Sequence, residues 1–317
     1  MLVSDLLKFR NDFYERVSSL TLDRSLADSC RELTSIVSSN TSIIEFVAHT
    51  KIQNAVNQIQ NFNAEYDQIK NQLMTAMDDI YQQIDLLSLT INTGIDTPYK
   101  RQFKVADNPI YNEFHISPDI SQIIKSRIHQ TSDWHYPGMQ LGCRNASYTS
   151  DLISCDPLYL CDFDLKYVEN VSNQFNDIYS RRLRKYLIAD HQLGQMPQNQ
   201  FGLIFSWMFL NFVDITDIQL YLSELIKILR PGGVFMFSYN NGDMVESARL
   251  FESGMMSFIP KRKLIPICKN LGFEIVNSFD FTNVDDNIKT ISWIELRKPG
   301  ELSTVKRSQA QGLVGRK

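Results

Sequence analysis

The stretch "LSELIKILRPGGVFMFSYNN", from Leu222 to Asn241, changes its hydrophobic pattern halfway along. Its first part continues a helical periodicity that we place at Asp217 to Leu229, because apolar residues recur at three- and four-residue steps. Arg230 to Gly233 then predicts a sharp turn, since Pro and Gly interrupt regular structure. The apolar run from Val234 to Tyr239 predicts a buried strand, so the stretch indicates one helix–turn–strand unit.

The chain on both sides of this unit alternates between strand and helix patterns. Further strands are predicted at "MQLG", "PLYLCD", "KYLIA", "FGLIFSW", "FEIVNSFDF" and "TISWIELRK", which are residues 139–142, 157–162, 185–189, 201–207, 273–281 and 290–298. Helices are predicted up to Leu152, from Leu165 to Tyr179, and from Lys261 to Asn270. This order predicts an α/β fold: a Rossmann-like, mostly parallel seven-stranded sheet with an antiparallel edge hairpin and helices on both sides.

The first third of the chain predicts an all-helical region. Apolar residues from Leu2 to Leu20 share one helical face, a second helix is predicted from Ser25 to Val37, and Ser38 to Ser42 indicates a break. A near-heptad stripe runs from Ile52 to Leu87, with Asn63 in one apolar position. Two interpretations stay open, a bundle or coiled-coil hairpin within one chain, and a helix for homo-oligomers or a protein partner.

Four segments follow from these patterns. We predict a helical bundle or coiled-coil region at residues 1–95, a connector at 96–133 with a short helix near Ser121 to Ile128, a sheet domain at 134–298 and a tail at 299–317.

Composition excludes several function classes. The 317 residues carry a net charge of −4, so a global basic surface for nucleic acid is absent. Five cysteines form no CxxC pair and show no zinc spacing, so we predict no metal site. The N-terminal stretch mixes charge with apolar residues, and no run reaches the ~18 apolar residues of a membrane span. We therefore expect no signal peptide and a cytoplasmic protein without membrane contact.

Two stretches carry a resemblance to a known family. "NQFGLIFSWMFLNFV" (Asn199 to Val213) resembles the fourth strand and the following loop of class I S-adenosylmethionine-dependent methyltransferases. "LSELIKILRPGGVFMFSYNN" resembles the helix, turn and fifth strand of the same family. The resemblance extends over Trp134 to Lys298. The sequence segments "HYPGMQLG", "CDPLYLCD" and "KPGEL" are similar to those of bacteriophage-encoded methyltransferase-like proteins. The resemblance implies methyl transfer from S-adenosylmethionine, in the host cytoplasm or in a virion if a phage encodes the chain.

The cofactor residues implied by the resemblance lie at strand ends. Gly142 ends the first strand, where a side chain would block the cofactor; the alternative is a plain turn glycine. Asp162 ends the second strand and could accept hydrogen bonds from two ribose hydroxyls; the alternative is a helix cap. We expect Asp162→Ala to weaken binding and barely change the melting temperature. We expect Gly142→Val to cost binding far more than folding.

Further positions complete this pocket. The Asp190 carboxylate could accept from the adenine amino group while Leu193 packs on the ring, unless both lie in a surface loop. Ser206 and Trp207 end the fourth strand near the expected sulfonium, although Trp207 could equally belong to the core. Where the family has two more glycines, this chain has Cys143, Arg144 and Asn145, which reshape or abolish the pocket.

The acceptor side is less defined. In-line methyl transfer needs alignment and exclusion of water rather than a fixed catalytic group. Candidates for the acceptor pocket are Tyr239, Asn240 and Asn241 after the fifth strand, with His135 and Tyr136 as a lid. The signatures of amino-group DNA methylation and of attack on cytosine are absent. Two hypotheses remain, a working methyltransferase with an unknown acceptor and an inactive relative with a structural or interaction role.

Overall fold

The computed structural model describes residues 2–19, 35, 39–40, 42–43, 52, 54, 66–94, 118–143, 146–188, 191–282 and 290–300. The chain forms two compact units. One unit combines Met1–Thr97 with Asp243–Gly254, and the other combines Pro98–Gly242 with Met255–Lys317. The predicted connector at residues 96–133 and the predicted sheet domain at 134–298 divide the chain by sequence pattern, and both stay predictions.

A seven-stranded sheet forms the larger unit. Its strands, in chain order, are β1 (Gly138–Leu141), β2 (Leu158–Asp162), β3 (Leu183–Leu187), β4 (Phe201–Ser206), β5 (Leu229–Tyr239), β6 (Glu274–Thr282) and β7 (Thr290–Arg297). Their order across the sheet is β3-β2-β1-β4-β5-β7-β6, with β1 to β5 parallel and β7 antiparallel to both β5 and β6. The predicted sheet with an antiparallel edge hairpin is confirmed.

Helices cover both faces of this sheet. The helical segments of the unit are α3 (Pro118–Thr131), the 3-10 helix η1 (Ala146–Leu152), α4 (Leu165–Ser172), α5 (Asp177–Ser180), the 3-10 helix η2 (Leu210–Phe212), α6 (Ile215–Ile228) and α8 (Lys261–Asn270). The apolar stripes of α6 and α8 pack with Ile204, Phe235 and Phe237 in the main core. On the opposite face of the sheet, the ring of Tyr148 from η1 packs on Phe205.

The Arg-Pro-Gly-Gly segment is a bulge within β5, and the predicted separate turn is wrong. Phe201 of β4 pairs with Leu229, whereas Leu203 pairs with Val234, so β5 holds extra residues between two pairs. Gly232 takes a φ of 75° there, a backbone conformation that favours glycine. The bulge therefore explains why this segment contains glycine without ending the strand.

Other predicted elements shift in detail. The helix predicted from Leu165 to Tyr179 is two helices, α4 and α5, with Asn176 capping α5 by accepting a hydrogen bond from the backbone N–H of Tyr179. The helix predicted before Leu152 is the 3-10 helix η1. Strand β3 begins at Leu183, two residues before the predicted "KYLIA".

The smaller unit contains three described helices, α1 (Val3–Ser19), α2 (Tyr66–Gly94) and α7 (Val245–Glu252). Helix α1 packs against both α2 and α7. Its backbone N–H and hydroxyl at Ser4 donate to the Glu252 carboxylate at 2.8 and 2.7 Å. The Arg10 guanidinium lies 3.8 Å from the centre of the Tyr81 ring. Helices of one chain thus bury each other's faces, as one of the two open interpretations required.

The predicted stripe is seen only in part. Ile69, Leu73, Ala76, Ile80 and Ile84 are buried along α2, whereas Leu86 and Leu89 are exposed. The predicted helix from Ser25 to Val37 and the polar position Asn63 lie outside the described residues, apart from position 35. Helix α7 was not predicted.

Candidate functional site

The carboxyl ends of four parallel strands meet at one edge of the sheet. Strand β1 lies between β2 and β4, so the crossovers leave β1 in opposite directions. In open α/β sheets, ligands bind outside the carboxyl ends of the strands at such a switch point. The residues that end or follow β1, β2, β4 and β5 therefore form the candidate site.

Gly142 follows β1 in a conformation that requires glycine. Its φ is 87°, and its backbone N–H donates to the Cys161 carbonyl at 2.8 Å. A Cβ built at this position would lie 2.6 Å from the Cβ and 2.8 Å from the Cγ of Phe209. The space beside Gly142 is thus filled by an aromatic side chain of the same chain.

Asp162 ends β2 and is only 4% exposed. Its Oδ2 accepts the backbone N–H of Cys143 at 2.5 Å, and its Oδ1 accepts the backbone N–H of Phe163 at 2.7 Å. Burial raises the pKa of the Cys143 thiol well above its ordinary value, and the Asp162 charge raises it further. Asp162 therefore joins the ends of β1 and β2, and Cys143 stays a neutral thiol.

Phe209 covers this junction and was missed by sequence reasoning. Its ring stacks on Phe163 with centres 5.0 Å apart, and it meets Tyr221 edge-on at 5.9 Å. The preceding residue, Met208, has a φ of 53°, which is uncommon outside glycine. An apolar residue in an apolar run gives no sequence signal for such a position.

The other predicted cofactor residues are distributed unevenly. Leu193 and Ser206 are fully buried, and the Ser206 hydroxyl has no hydrogen-bond partner among the described residues. Trp207 packs edge-on against Tyr148 at 5.3 Å and lies 6.0 Å from Trp293, which agrees with the core alternative for Trp207. Asp190, Arg144 and Asn145 lie outside the described residues.

The three residues that follow or end β5 are buried and hold the loop to its neighbours. Tyr239 belongs to the main core. The Asn240 amide donates to the Ser257 carbonyl at 2.8 Å. The Asn241 side chain accepts the backbone N–H of Lys261 at 3.0 Å and donates to Asp280 at 3.3 Å. These contacts give Asn240 and Asn241 an anchoring role beside any contact with an acceptor.

A buried polar cluster between β4 and β5 was also missed. The Ser238 hydroxyl accepts the backbone N–H of Met208 and donates to the Asn211 side-chain carbonyl, both at 2.8 Å. The backbone N–H of Ser257 donates to the backbone carbonyl of Asn211 at 2.9 Å. Within the described ranges, the Asn211 amide nitrogen and the Ser257 hydroxyl have no partner. Asn211 was visible in the sequence as the one polar residue in "FLNFV".

The predicted lid residues lie at the opposite edge of the sheet. Tyr136 precedes β1, and its ring centre is 3.4 Å from the guanidinium carbon of Arg230, near the start of β5. A Cβ on Gly202, near the start of β4, would lie 2.9 Å from the Tyr136 Cβ. Parallel strands begin at one edge and end at the other, so Tyr136 is at the amino edge. His135 pairs there with Asp133 at 2.6 Å.

Three further properties characterise the described part of the chain. No three His, Cys, Asp or Glu side chains are grouped there as metal ligands. No helix in the same ranges combines the length and apolarity required to cross a bilayer. The four described cysteines are buried free thiols.

Comparison with known proteins supports the resemblance within the sheet. Residues 139–237 match the sequence profile of a protein family described as "Methyltransferase domain". The matched range begins in β1 and ends in β5, so it lies within the Rossmann-like sheet. The predictions of methyl transfer and of S-adenosylmethionine agree with this match. No curated protein matches the chain.

Solved structures show a more distant likeness. The chain is similar to N-methyltransferase NodS from Bradyrhizobium japonicum WM9 in complex with S-adenosyl-L-homocysteine, at 16% identity over 65% of this chain and 100% of that chain, with a TM-score of 0.49. It is also similar to geranyl diphosphate C-methyltransferase from Streptomyces coelicolor A3(2), at 8% identity over 56% of this chain and 78% of that chain, with a TM-score of 0.46.

Proposed function

We propose that the sheet domain, residues 134–298, is an S-adenosylmethionine-dependent methyltransferase that acts by in-line displacement on an acceptor reached from the carboxyl edge. One observation carries the proposal, the family match over residues 139–237. That range includes Gly142 at the end of β1 and Asp162 at the end of β2, where parallel strands form a ligand site.

The chemistry of these residues suits the cofactor. A carboxylate at the end of β2 offers the kind of hydrogen-bond acceptor that ribose hydroxyls use. Gly142 has no side chain to block a close approach. Phe209 fills the side of Gly142 that lacks a Cβ, which closes this side of the site, and a ligand that enters there requires the Phe209 side chain to move.

The protein's part in the proposed reaction is to bind and align. When bound, S-adenosylmethionine supplies a methyl group already activated on a positively charged sulfur. Leu193 and Asp190 are proposed for the adenine, and Ser206 with Trp207 for the end of β4. The unpartnered polar atoms of Asn211 and Ser257 make that buried cluster the proposed acceptor side, beside Asn240. A general base is required only if the acceptor loses a proton.

The test compares two neighbouring aspartates by calorimetric titration with S-adenosylhomocysteine. Asp162→Asn removes the buried carboxylate charge and is expected to weaken binding about tenfold or more, because charge-assisted hydrogen bonds are lost. The control is Asp164→Asn, since the exposed Asp164 carboxylate caps α4 by accepting from the backbone N–H of Lys166 at 2.8 Å. Equal affinities for both variants and the wild type would contradict the role of Asp162.

A second candidate follows from the closed site. The filled space beside Gly142 and the burial of Asp162 favour a catalytically inactive methyltransferase-fold protein. In that proposal the sheet is a scaffold, and α1 and α2 contact a second copy or a protein partner. A bacteriophage origin, a place in the host cytoplasm and virion association belong to this proposal too. It predicts that S-adenosylhomocysteine binds neither the wild type nor the Phe209 variants described below.

A further inference from the structure

The aromatic side chain of Phe209 occupies the space beside the Gly142 turn, at the edge where we propose that the cofactor binds. Phe209 is 5% exposed, and three of its carbon atoms lie within 2.8 Å of the point where a Gly142 Cβ would stand. A glycine with a φ of 87° leaves one side of its backbone open to close approach. Here the chain itself fills that side.

Several contacts hold the ring in this position. Phe163, which directly follows Asp162, stacks on it with an interplanar angle of 19°. Tyr221 of α6 closes the other contact at an interplanar angle of 80°. The backbone before the ring is fixed at Met208, whose N–H donates to the buried Ser238 hydroxyl. The ring therefore bridges the ends of β1, β2 and β4.

We propose that Phe209 is an aromatic gate that keeps the site at Gly142 and Asp162 closed and has to swing away before S-adenosylmethionine binds. The inference rests on the proposed function, since it concerns the same site. A residue that only lines a pocket would lie beside the ligand. The Phe209 side chain instead fills the space next to Gly142 and stacks on Phe163, the neighbour of Asp162. The apparent dissociation constant is the intrinsic constant divided by the open fraction, so a closed gate weakens binding.

The gate makes Met208 the hinge of the motion. A residue other than glycine with positive φ stores conformational strain that the surrounding contacts maintain. Rotation there would carry Phe209 away from Gly142 and release the Met208 N–H from Ser238. Both changes leave the strands of the sheet in place, because Met208 lies beyond the last residue of β4.

The experiment measures S-adenosylhomocysteine affinity by titration calorimetry on the full chain. Phe209→Ala is expected to bind about tenfold tighter than the wild type, because the open fraction rises when the ring is removed. Phe212→Ala is the matched control, since Phe212 is a similarly buried aromatic three residues later, and the three atoms nearest to a Gly142 Cβ all belong to Phe209. Its affinity is expected to stay within about twofold of the wild type. Phe209→Leu gives a smaller change of volume and serves if the alanine variant fails to fold.

The outcomes separate the gate from the proposed function. Tighter binding by the Phe209 variants alone supports the gate. If the wild type binds and the folded Phe209 variants bind with equal or lower affinity, the gate is overturned. The methyltransferase proposal is then left standing. No binding by the wild type, Phe209→Ala or Phe209→Leu, all shown to be folded by circular dichroism, overturns both.

Discussion

At the end of β2, the buried Asp162 carboxylate accepts the backbone N–H groups of Cys143 and Phe163. Asp162→Ala would leave both donors without this partner, and an unsatisfied buried donor costs about 1–3 kcal/mol. We therefore predict a fall of about 2 kcal/mol or more in the free energy of unfolding, measured by urea denaturation. This replaces the sequence-based expectation of an almost unchanged melting temperature.

Asp164→Ala provides the comparison for that measurement. It removes one exposed helix cap and should cost about 1 kcal/mol. Equal losses for Asp162→Ala and Asp164→Ala would show that the bonds to Cys143 and Phe163 contribute little to stability.

Gly142 and Phe209 are predicted to be energetically coupled. Gly142→Ala combines backbone strain of about 1–2 kcal/mol with a clash against the Phe209 ring. In a Phe209→Ala background the clash disappears and only the strain remains. The Phe209 contact therefore adds a folding cost to the sequence-based expectation that Gly142→Val affects binding far more than folding.

A double-mutant cycle in urea measures this coupling. The four proteins are the wild type, Gly142→Ala, Phe209→Ala and the double variant. We expect a coupling energy of about 1 kcal/mol or more, in the direction that makes Gly142→Ala less costly without the ring. Additive losses would mean that the Phe209 ring yields freely to a Cβ.

The residues of the site differ in how far the sequence reveals them. Asp162 and Gly142 were predicted because a charged residue or a glycine directly after an apolar strand is a local pattern. Phe209 was not, because only the pairing of β1 beside β4 brings it over Gly142. Tyr136 contacts Arg230 at the other edge, and closeness in sequence to β1 does not tell which edge a residue occupies.

The element scale shows where tertiary pairing overrides local preference. Pro231, Gly232 and Gly233 predict a turn by composition alone. In the fold, the Gly232 N–H donates to the Lys298 carbonyl at 2.8 Å, and the Lys298 N–H donates to the Gly233 carbonyl at 3.0 Å. Hydrogen bonds to Lys298, which follows β7, thus hold the segment as a bulge of β5. Composition alone does not reveal this long-range pairing.

Helix α6 begins after Asp214, which makes no side-chain capping hydrogen bond. Burial raises the pKa of the Asp214 carboxyl above its ordinary value, and the charge of Asp217 raises it further. A carboxyl with a raised folded-state pKa stabilises the fold below its unfolded pKa and loses this contribution as the pH rises through the folded pKa. We therefore predict that Asp214→Asn melts at a higher temperature than the wild type at pH 7.

That advantage should shrink as the pH falls through the titration range of the Asp214 carboxyl. Melting curves of both proteins across this range provide the measurement. A difference in melting temperature that is independent of pH would contradict the assignment to Asp214 ionisation.

For the whole molecule, the sheet was predictable because each strand carries its own apolar run and the helices between them set parallel crossovers. The division into units was not, because α7 is short and its place with α1 depends on a long-range contact. From the sequence alone, we expect deletion of the residues before Thr97 to leave a folded sheet domain. The structure adds that this deletion also removes α1, against which α7 packs.

The truncated protein should keep its sheet and associate with itself. Its α7 would expose Ala248 and Phe251, which are buried in the full chain. We predict a folded circular dichroism spectrum together with an early elution volume in size-exclusion chromatography. Adding Phe251→Ser to the truncation should return the elution volume toward that of a monomer. A truncated chain that is already monomeric would show that α7 needs no cover.

The placement of α7 also constrains the order of events on the ribosome. Helix α1 is synthesised before the sheet, yet its partner α7 ends at Glu252, after all five parallel strands have been made. At about 5–20 residues per second, the interval from Ser19 to Glu252 is roughly 10–50 seconds. For that time the apolar face of α1 that later meets α7 is a nascent surface, open to chaperones. Synthesis of the smaller unit therefore begins before that of the sheet, but the smaller unit can complete its folding only after β1 to β5 have been made.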